Sequence, residues 1–261
     1  MKTIWKLTAW HWRLVRVPYM VLCAVYAVQQ AALLLVSAAN PHKLGWQMAE
    51  LFQDCGQMPL FFTALYLMAV LAASATRSKG KTQQLYTLYT MPFSRRTLWM
   101  SQLLLAAILA AGFVAWQILL YVVLYFPVTL VLGRVAAGMV NAALPWNSLM
   151  EELNANPLMQ LLLPVKPGSG LTLLGMLLIL SLHSACVACC HGLRRAVVFL
   201  TTLLGMGAAY AALYLRYHLV TYRSEDKVMY ALLGVILAVA VLLAAVNVFQ
   251  ASRALKRAET A

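Results

Sequence analysis

Six stretches of the chain run without a single Asp, Glu, Lys or Arg: 17–42, 55–76, 97–133, 167–193, 196–215 and 228–252. Each can cross a hydrocarbon core, which takes about 20 apolar residues as a helix. Apolar positions follow one another in blocks, without the alternation of a barrel strand, so the elements are expected to be helices. The pattern predicts an all-α integral membrane protein with spans near 17–39, 57–76, 98–126, 170–191, 196–215 and 228–250. The third block exceeds the needs of one span, so it is expected to project beyond the bilayer or bend near Pro127.

Residues 1–16 read as an interfacial helix. At 100° per residue, Lys2, Lys6, Arg13 and Arg16 fall on one arc and Ile4, Leu7 and Trp12 on the other. Trp5, Trp10 and Trp12 suit the headgroup region. Between the spans, 40–56 and 216–227 are short connections. The longer segment 127–169 holds apolar stretches around Pro145, Pro157, Pro164 and Pro167 and is expected to form short helices on the membrane surface. The whole of 1–261 reads as one transmembrane domain.

Composition narrows the class. The chain is 63% hydrophobic and 10% charged, whereas soluble domains run near 45–50% apolar and about 25% charged. With a mean hydropathy of +0.79, a single soluble enzyme domain has nowhere to put its apolar surface, and disorder is excluded by the same excess.

Charge sets the orientation. With the N-terminus inside, 14 of the 20 lysines and arginines fall in cytoplasmic segments. The outer segments then carry Lys43, Arg134, Lys166, Arg216, Arg223 and Lys227, together with all the acids except Glu259. The Lys/Arg bias predicts both termini in the cytoplasm. It also accounts for the sequence pI of 9.8: basic residues scattered along one membrane face meet anionic headgroups, so no nucleic-acid partner is inferred.

Candidate chemistry is sparse. Ala75-x-x-x-x-Gly80-Lys81-Thr82 matches a permissive P-loop pattern. It follows a membrane span rather than a β-strand, so the context a phosphate cradle needs is missing. His183, Cys186, Cys189, Cys190 and His191 form the densest set of metal-ligand types. Along one helix His183 and Cys190 stand about 10 Å apart, too far for one zinc, so the cysteines read as small packing residues. His183 lies inside a span, as a pathway-lining or interhelical residue. Glu50, Asp54, Glu151 and Glu152 fall in outer segments, leaving no carboxylate within a span for a proton- or sodium-coupled carrier. Gln29, Gln30, Gln117 and Asn247 are expected to bond between helices. Neither a catalytic set nor a metal site is assigned.

The loop from Arg77 to Arg96 differs in kind. Leu85, Leu88 and Tyr89 recur at i, i+3 and i+4, giving a short amphipathic helix over 79–92 that Pro92 stops. Ser94 then stands where it can cap the third span. Such a helix is too small to fold alone and needs a membrane or protein surface to cover its apolar face.

The stretch Lys79-Gly80-Lys81-Thr82…Leu85-Tyr86-Thr87-Leu88…Thr90-Met91-Pro92-x-Ser94-Arg95 resembles the loop after span two in ATP-binding-cassette exporter permeases of the type 2 superfamily. Gln83 and Gln84 stand where many relatives carry an acid, and Met91 where leucine is usual. The resemblance implies a coupling helix that sits in a groove of a separate ATP-binding subunit, with Thr82, Leu85, Tyr86, Leu88, Tyr89, Pro92, Ser94, Arg95 and Arg96 at the contact. Gly192, Arg194 and Arg195 would make a secondary cytoplasmic contact. It further implies a second permease chain, alike or different, in a bacterial plasma membrane, with ATP and magnesium held by the partner and no ATPase site in this chain. Two competing readings are a membrane-embedded metal or redox enzyme built on His183, Cys186, Cys190 and His191, and a non-transporting membrane sensor.

Overall fold

The computed structural model of the chain describes residues 2–43, 46–74, 94–137 and 148–163, with isolated helical positions between 180 and 253. Among the described residues the regular elements are all helical and none is a strand. They are α1 (Lys2–Ala38), a 3-10 turn (Pro41–Lys43), α2 (Met48–Asp54), α3 (Gln57–Ser74), α4 (Arg95–Ala137), α5 (Leu149–Ala155) and α6 (Pro157–Leu162). Most of the fourth, fifth and sixth predicted spans lies outside the described residues.

Among the described residues two helices, Thr3–Ala38 and Arg96–Ala137, are long and apolar enough to cross a membrane, and three if a bent pair counts as one. That pair is Met48–Asp54 and Gln57–Ala73, bent by 66°. Outward-facing side chains fit a lipid surround. On α1, Val17, Val21, Val25 and Val28 are exposed at helical spacing, and on α4 so are Leu119, Val123, Phe126 and Leu130. Stripes of this kind face hydrocarbon at no cost, whereas in water they would aggregate. The polar side chains Thr8, His11, Gln30, Ser101, Gln102 and Gln117 are buried.

The helices depart from the predicted boundaries in three places. No break separates an interfacial helix at 1–16 from a span at 17–39: α1 runs unbroken for 37 residues, about 56 Å at 1.5 Å per residue. Pro18 lies inside it and withholds one ladder bond. The third block is a single helix of 43 residues with Pro127 inside it. Finally, the predicted connection 40–56 contains α2, whose Met48, Ala49, Leu51 and Phe52 are buried. The bend between α2 and α3 falls at Gly56, whose φ of 64° is a left-handed conformation that glycine adopts freely.

Caps fix the helix starts. Ser94 opens α4: its Oγ accepts the Thr97 N–H at 3.3 Å, and its carbonyl accepts the same N–H at 2.9 Å. Ser94→Ala is expected to cost about 1 kcal/mol and fray the first turn. Hydrogen exchange at the Thr97 and Leu98 amides, faster in the variant than in the wild type, is the check.

The chain divides into two compact units. Unit 1 comprises residues 1–19, 65–111 and 175–261. In it α1 and α4 run parallel: His11 Nδ1 lies 3.5 Å from Ser101 Oγ, and the Tyr19 hydroxyl donates to the Leu109 carbonyl at 3.5 Å, both pairs 90 residues apart. Thr8 Oγ1 bonds the Ile4 carbonyl of its own helix at 2.9 Å and reaches the Ser101 carbonyl at 3.4 Å. Leu65, Met68, Leu105 and Leu109 supply fully buried apolar volume.

Unit 2 comprises residues 20–64 and 112–174. Its centre is a ring cluster. Tyr26 of α1 meets Phe113 of α4 edge-on at 5.1 Å, and Phe61 of α3 stacks on Phe113 at 5.6 Å with planes 14° apart. Both geometries suit the aromatic quadrupole. The Trp116 indole N–H donates to the Cys23 carbonyl at 3.2 Å. A second ring pair, Phe52 of α2 with Tyr121 of α4, lies at 5.5 Å.

Candidate functional site

Of the residues expected to contact a partner, Thr82, Leu85, Tyr86, Leu88, Tyr89 and Pro92 lie outside the described residues, as do Gly192, Arg194 and Arg195. The same holds for His183, Cys186, Cys189, Cys190 and His191. Three are placed. Ser94 caps α4, the Arg95 backbone opens it, and the Arg96 side chain is exposed beside the cap. The loop therefore delivers its final residues to the foot of a 43-residue helix.

The described polar chemistry concentrates in unit 2, around Glu152. The span pattern puts this carboxylate in an outer segment, and on α5 it is buried. Its Oε2 accepts the Ala49 N–H at 2.9 Å, and the Met48 N–H also bonds it. These amides belong to the first turn of α2, where donors have no intrahelical partner and an anion is favoured. A side chain from another helix thus completes the cap that Gln47 and Glu50 begin; Glu50 Oε2 accepts the Gln47 N–H at 2.9 Å. Above it, the Tyr121 hydroxyl reaches the Glu152 carbonyl at 3.4 Å.

α5 and α6 present Glu152 through strong local signals. Ser148 Oγ accepts the Glu151 N–H at 3.3 Å while Glu151 Oε2 accepts the Ser148 N–H at 2.7 Å, a reciprocal capping box. Asn156 Oδ1 then accepts the Leu158 N–H at 2.9 Å, ahead of Pro157 at the first position of α6. Leu158, Met159, Leu161 and Leu162 of α6 are buried, so this segment packs into its unit instead of lying with an open face.

Burial pushes the Glu152 pKa up; the Ala49 and Met48 amides pull it down, and the charges of Glu50 and Glu151 add to the rise. The net direction is upward, so the folded state holds the proton more tightly than the unfolded chain. The stability this contributes is full below the ordinary carboxylate pKa and is lost as pH rises through the folded value. Glu152→Gln is expected to remove that dependence while keeping an acceptor oxygen for Ala49. Thermal unfolding of both proteins from about pH 4 to about pH 8 checks it: the wild type should lose Tm relative to the variant as pH rises.

Interhelical bonds were expected of Gln30 and Gln117. Both are fully buried, and neither amide has a hydrogen-bond partner among the described residues. Each unsatisfied buried group costs about 1–3 kcal/mol. Gln29, in contrast, is exposed. Among the described residues no three of His, Cys, Asp and Glu converge on a metal position.

No family model, curated protein or solved structure matches the chain.

Proposed function

We propose that the chain is the membrane-spanning subunit of an ATP-binding-cassette exporter, working as a pair with a second permease chain and driven by ATP hydrolysis on a separate subunit. One observation carries the reading: an apolar i, i+3, i+4 face at Leu85, Leu88 and Tyr89, ending in Pro92-x-Ser94-Arg95, on the only substantial basic loop of the sequence. Support comes from the Ser94 cap, which ties the end of that loop to the start of a helix long and apolar enough to cross a membrane. Further support comes from the exposed apolar stripes and buried polar side chains of α1 and α4.

The mechanism follows from linkage. ATP binding favours the closed state of the partner dimer, and a coupling helix seated in it makes pathway access part of the same equilibrium. The bias passes on only as far as the two states differ in their contacts with that helix. The six-span, N-in/C-in topology and the plasma-membrane location belong to this proposal.

The test is a mild-detergent pull-down of the tagged full-length chain from native membranes, followed by mass spectrometry. Near-stoichiometric recovery of a soluble subunit with a complete Walker-A motif is expected. Recovery of an intact complex without such a subunit would overturn the reading.

A further inference from the structure

Gln29 and Gln30 are neighbours on α1 with opposite surroundings: Gln30 is fully buried, whereas Gln29 is exposed on the outside of the helix. Around Gln29 the exposed surface is apolar. Val25, Ala32, Leu33 and Val36 are exposed and lie within about 60° of it around the helix axis. Lengthwise, Gln29 is central. Arg16 stands thirteen residues before it and Lys43 fourteen after it, with no charged residue between. The exposed Val21 and Val36 carry the apolar surface about 12 Å to one side of Gln29 and about 10 Å to the other.

α1 is long and apolar enough to cross a membrane, and in a helix that does so this position lies near the middle of the hydrocarbon. Acyl chains neither donate nor accept hydrogen bonds, so an amide left against them loses the bonds it makes in water. Its side chain is too short to return the amide to the headgroups, as lysine and arginine do near helix ends. Leucine at this position would complete an unbroken apolar face. A polar group at this depth calls for a polar group opposite it, and the exposed side of the helix points away from the rest of the chain.

We infer that the Gln29 face of α1 is the surface on which two copies of this chain meet, with the two Gln29 amides hydrogen-bonded to each other. Amide chemistry selects the occupant. Oε1 accepts and Nε2 donates, so one glutamine returns both bonds of another, whereas a carboxylate only accepts and an ammonium only donates. Depth selects it too. Copies of one chain enter the membrane in one orientation, and a two-fold axis along the bilayer normal sets a residue opposite its own counterpart at equal depth. With no charge on this face, nothing repels the second copy. Interhelical amide bonds and close packing are the forces that join helices in lipid. The inference rests on α1 as a span and deepens the proposed function: the second permease chain is a copy of the first, and α1 is where the two touch.

The test reconstitutes the full-length chain, without an ATP-binding subunit, in phosphatidylcholine vesicles, half of the molecules carrying a donor fluorophore and half an acceptor on a C-terminal tag. Energy transfer that rises and saturates with the protein-to-lipid ratio is expected for the wild type. Gln29→Leu should move the midpoint to about tenfold higher density. Gln29→Asn, which keeps both groups of the amide, should stay nearer the wild type. Oxidative cross-linking reads the position separately. Val25→Cys, one turn from Gln29, should give a disulfide-linked dimer, and Leu119→Cys on the exposed face of α4 should not, with the native cysteines of the wild type as the baseline. A wild type without saturable transfer would overturn the inference. So would a Gln29→Leu midpoint equal to that of the wild type, or linkage at Leu119→Cys in place of Val25→Cys. A pull-down that returns a different permease chain instead of a second copy sinks this inference and leaves the exporter reading standing. Saturable, Gln29-dependent transfer with no ATP-binding subunit in the pull-down does the reverse.

Discussion

Leu85→Asp and Leu88→Asp chains are expected to insert and fold as the wild type does, yet to lose the ATP-binding subunit in a pull-down. Both leucines belong to the apolar face of the loop whose partner contact is proposed, and neither lies in a predicted span. Placing a carboxylate in an apolar groove without a counter-charge costs upwards of about 3 kcal/mol, roughly a hundred-fold in association. Their place in a loop outside the predicted spans is expected to make the same substitution nearly neutral for folding. The measurement is the yield of ATP-binding subunit per permease chain, with insertion checked in parallel by protease accessibility. Wild-type yield from either variant would remove the coupling helix from this position. Leu85→Met, which keeps apolar volume, should retain the partner.

The second large effect belongs to the interior of unit 2. Phe113 is fully buried, and its ring is shared by Tyr26 on one side and Phe61 on the other, so three helices lose a common contact when it is truncated. Phe113→Ala is expected to destabilise by about 3 kcal/mol, the lower end for a buried aromatic, since association in lipid rests on packing rather than water exclusion. Unfolding in a mixed-micelle denaturant titration reads this as a lowered midpoint. Val128→Ala, also fully buried in unit 2 but smaller, should cost less. Equal costs would mean that the ring cluster adds nothing beyond ordinary packing.

What the sequence made legible follows from which signals are local. Long charge-free blocks announce helices because chain length and apolar content alone set them, and α1, α3 and α4 lie where three of those blocks lie. The Ser94 cap was readable from its place before the third block, and its hydrogen bond to Thr97 is present. Signals at 47–50, 148–151 and 156–157 were equally local and went unread: Gln47-x-x-Glu50, Ser148-x-x-Glu151 and Asn156-Pro157 are helix starts by residue type and spacing. Reading them would have placed α2 in the supposed connection 40–56 and fixed the starts of α5 and α6 among the short helices expected within 127–169.

Other features had no local signature. Glu152 looks like any loop acid until α2 supplies Met48 and Ala49 as partners from about a hundred positions earlier in the chain. The join between residues 16 and 17 looked like a boundary because charge stops there. Yet backbone hydrogen bonding is indifferent to charge, and α1 passes through.

The distance along the chain between Glu152 and the amide it caps also has a meaning in time. Ala49 leaves the ribosome 103 residues ahead of the carboxylate it will bond. At synthesis rates of about 5–20 residues per second, the interval is roughly 5–20 seconds. Throughout it, the first amides of α2 are satisfied by water or headgroups, because lipid hydrocarbon accepts no hydrogen bond. The α2–α3 pair is thus translated early but locked late, and a nascent chain halted before residue 152 would hold α2 at the membrane surface, waiting for the helix that draws it in.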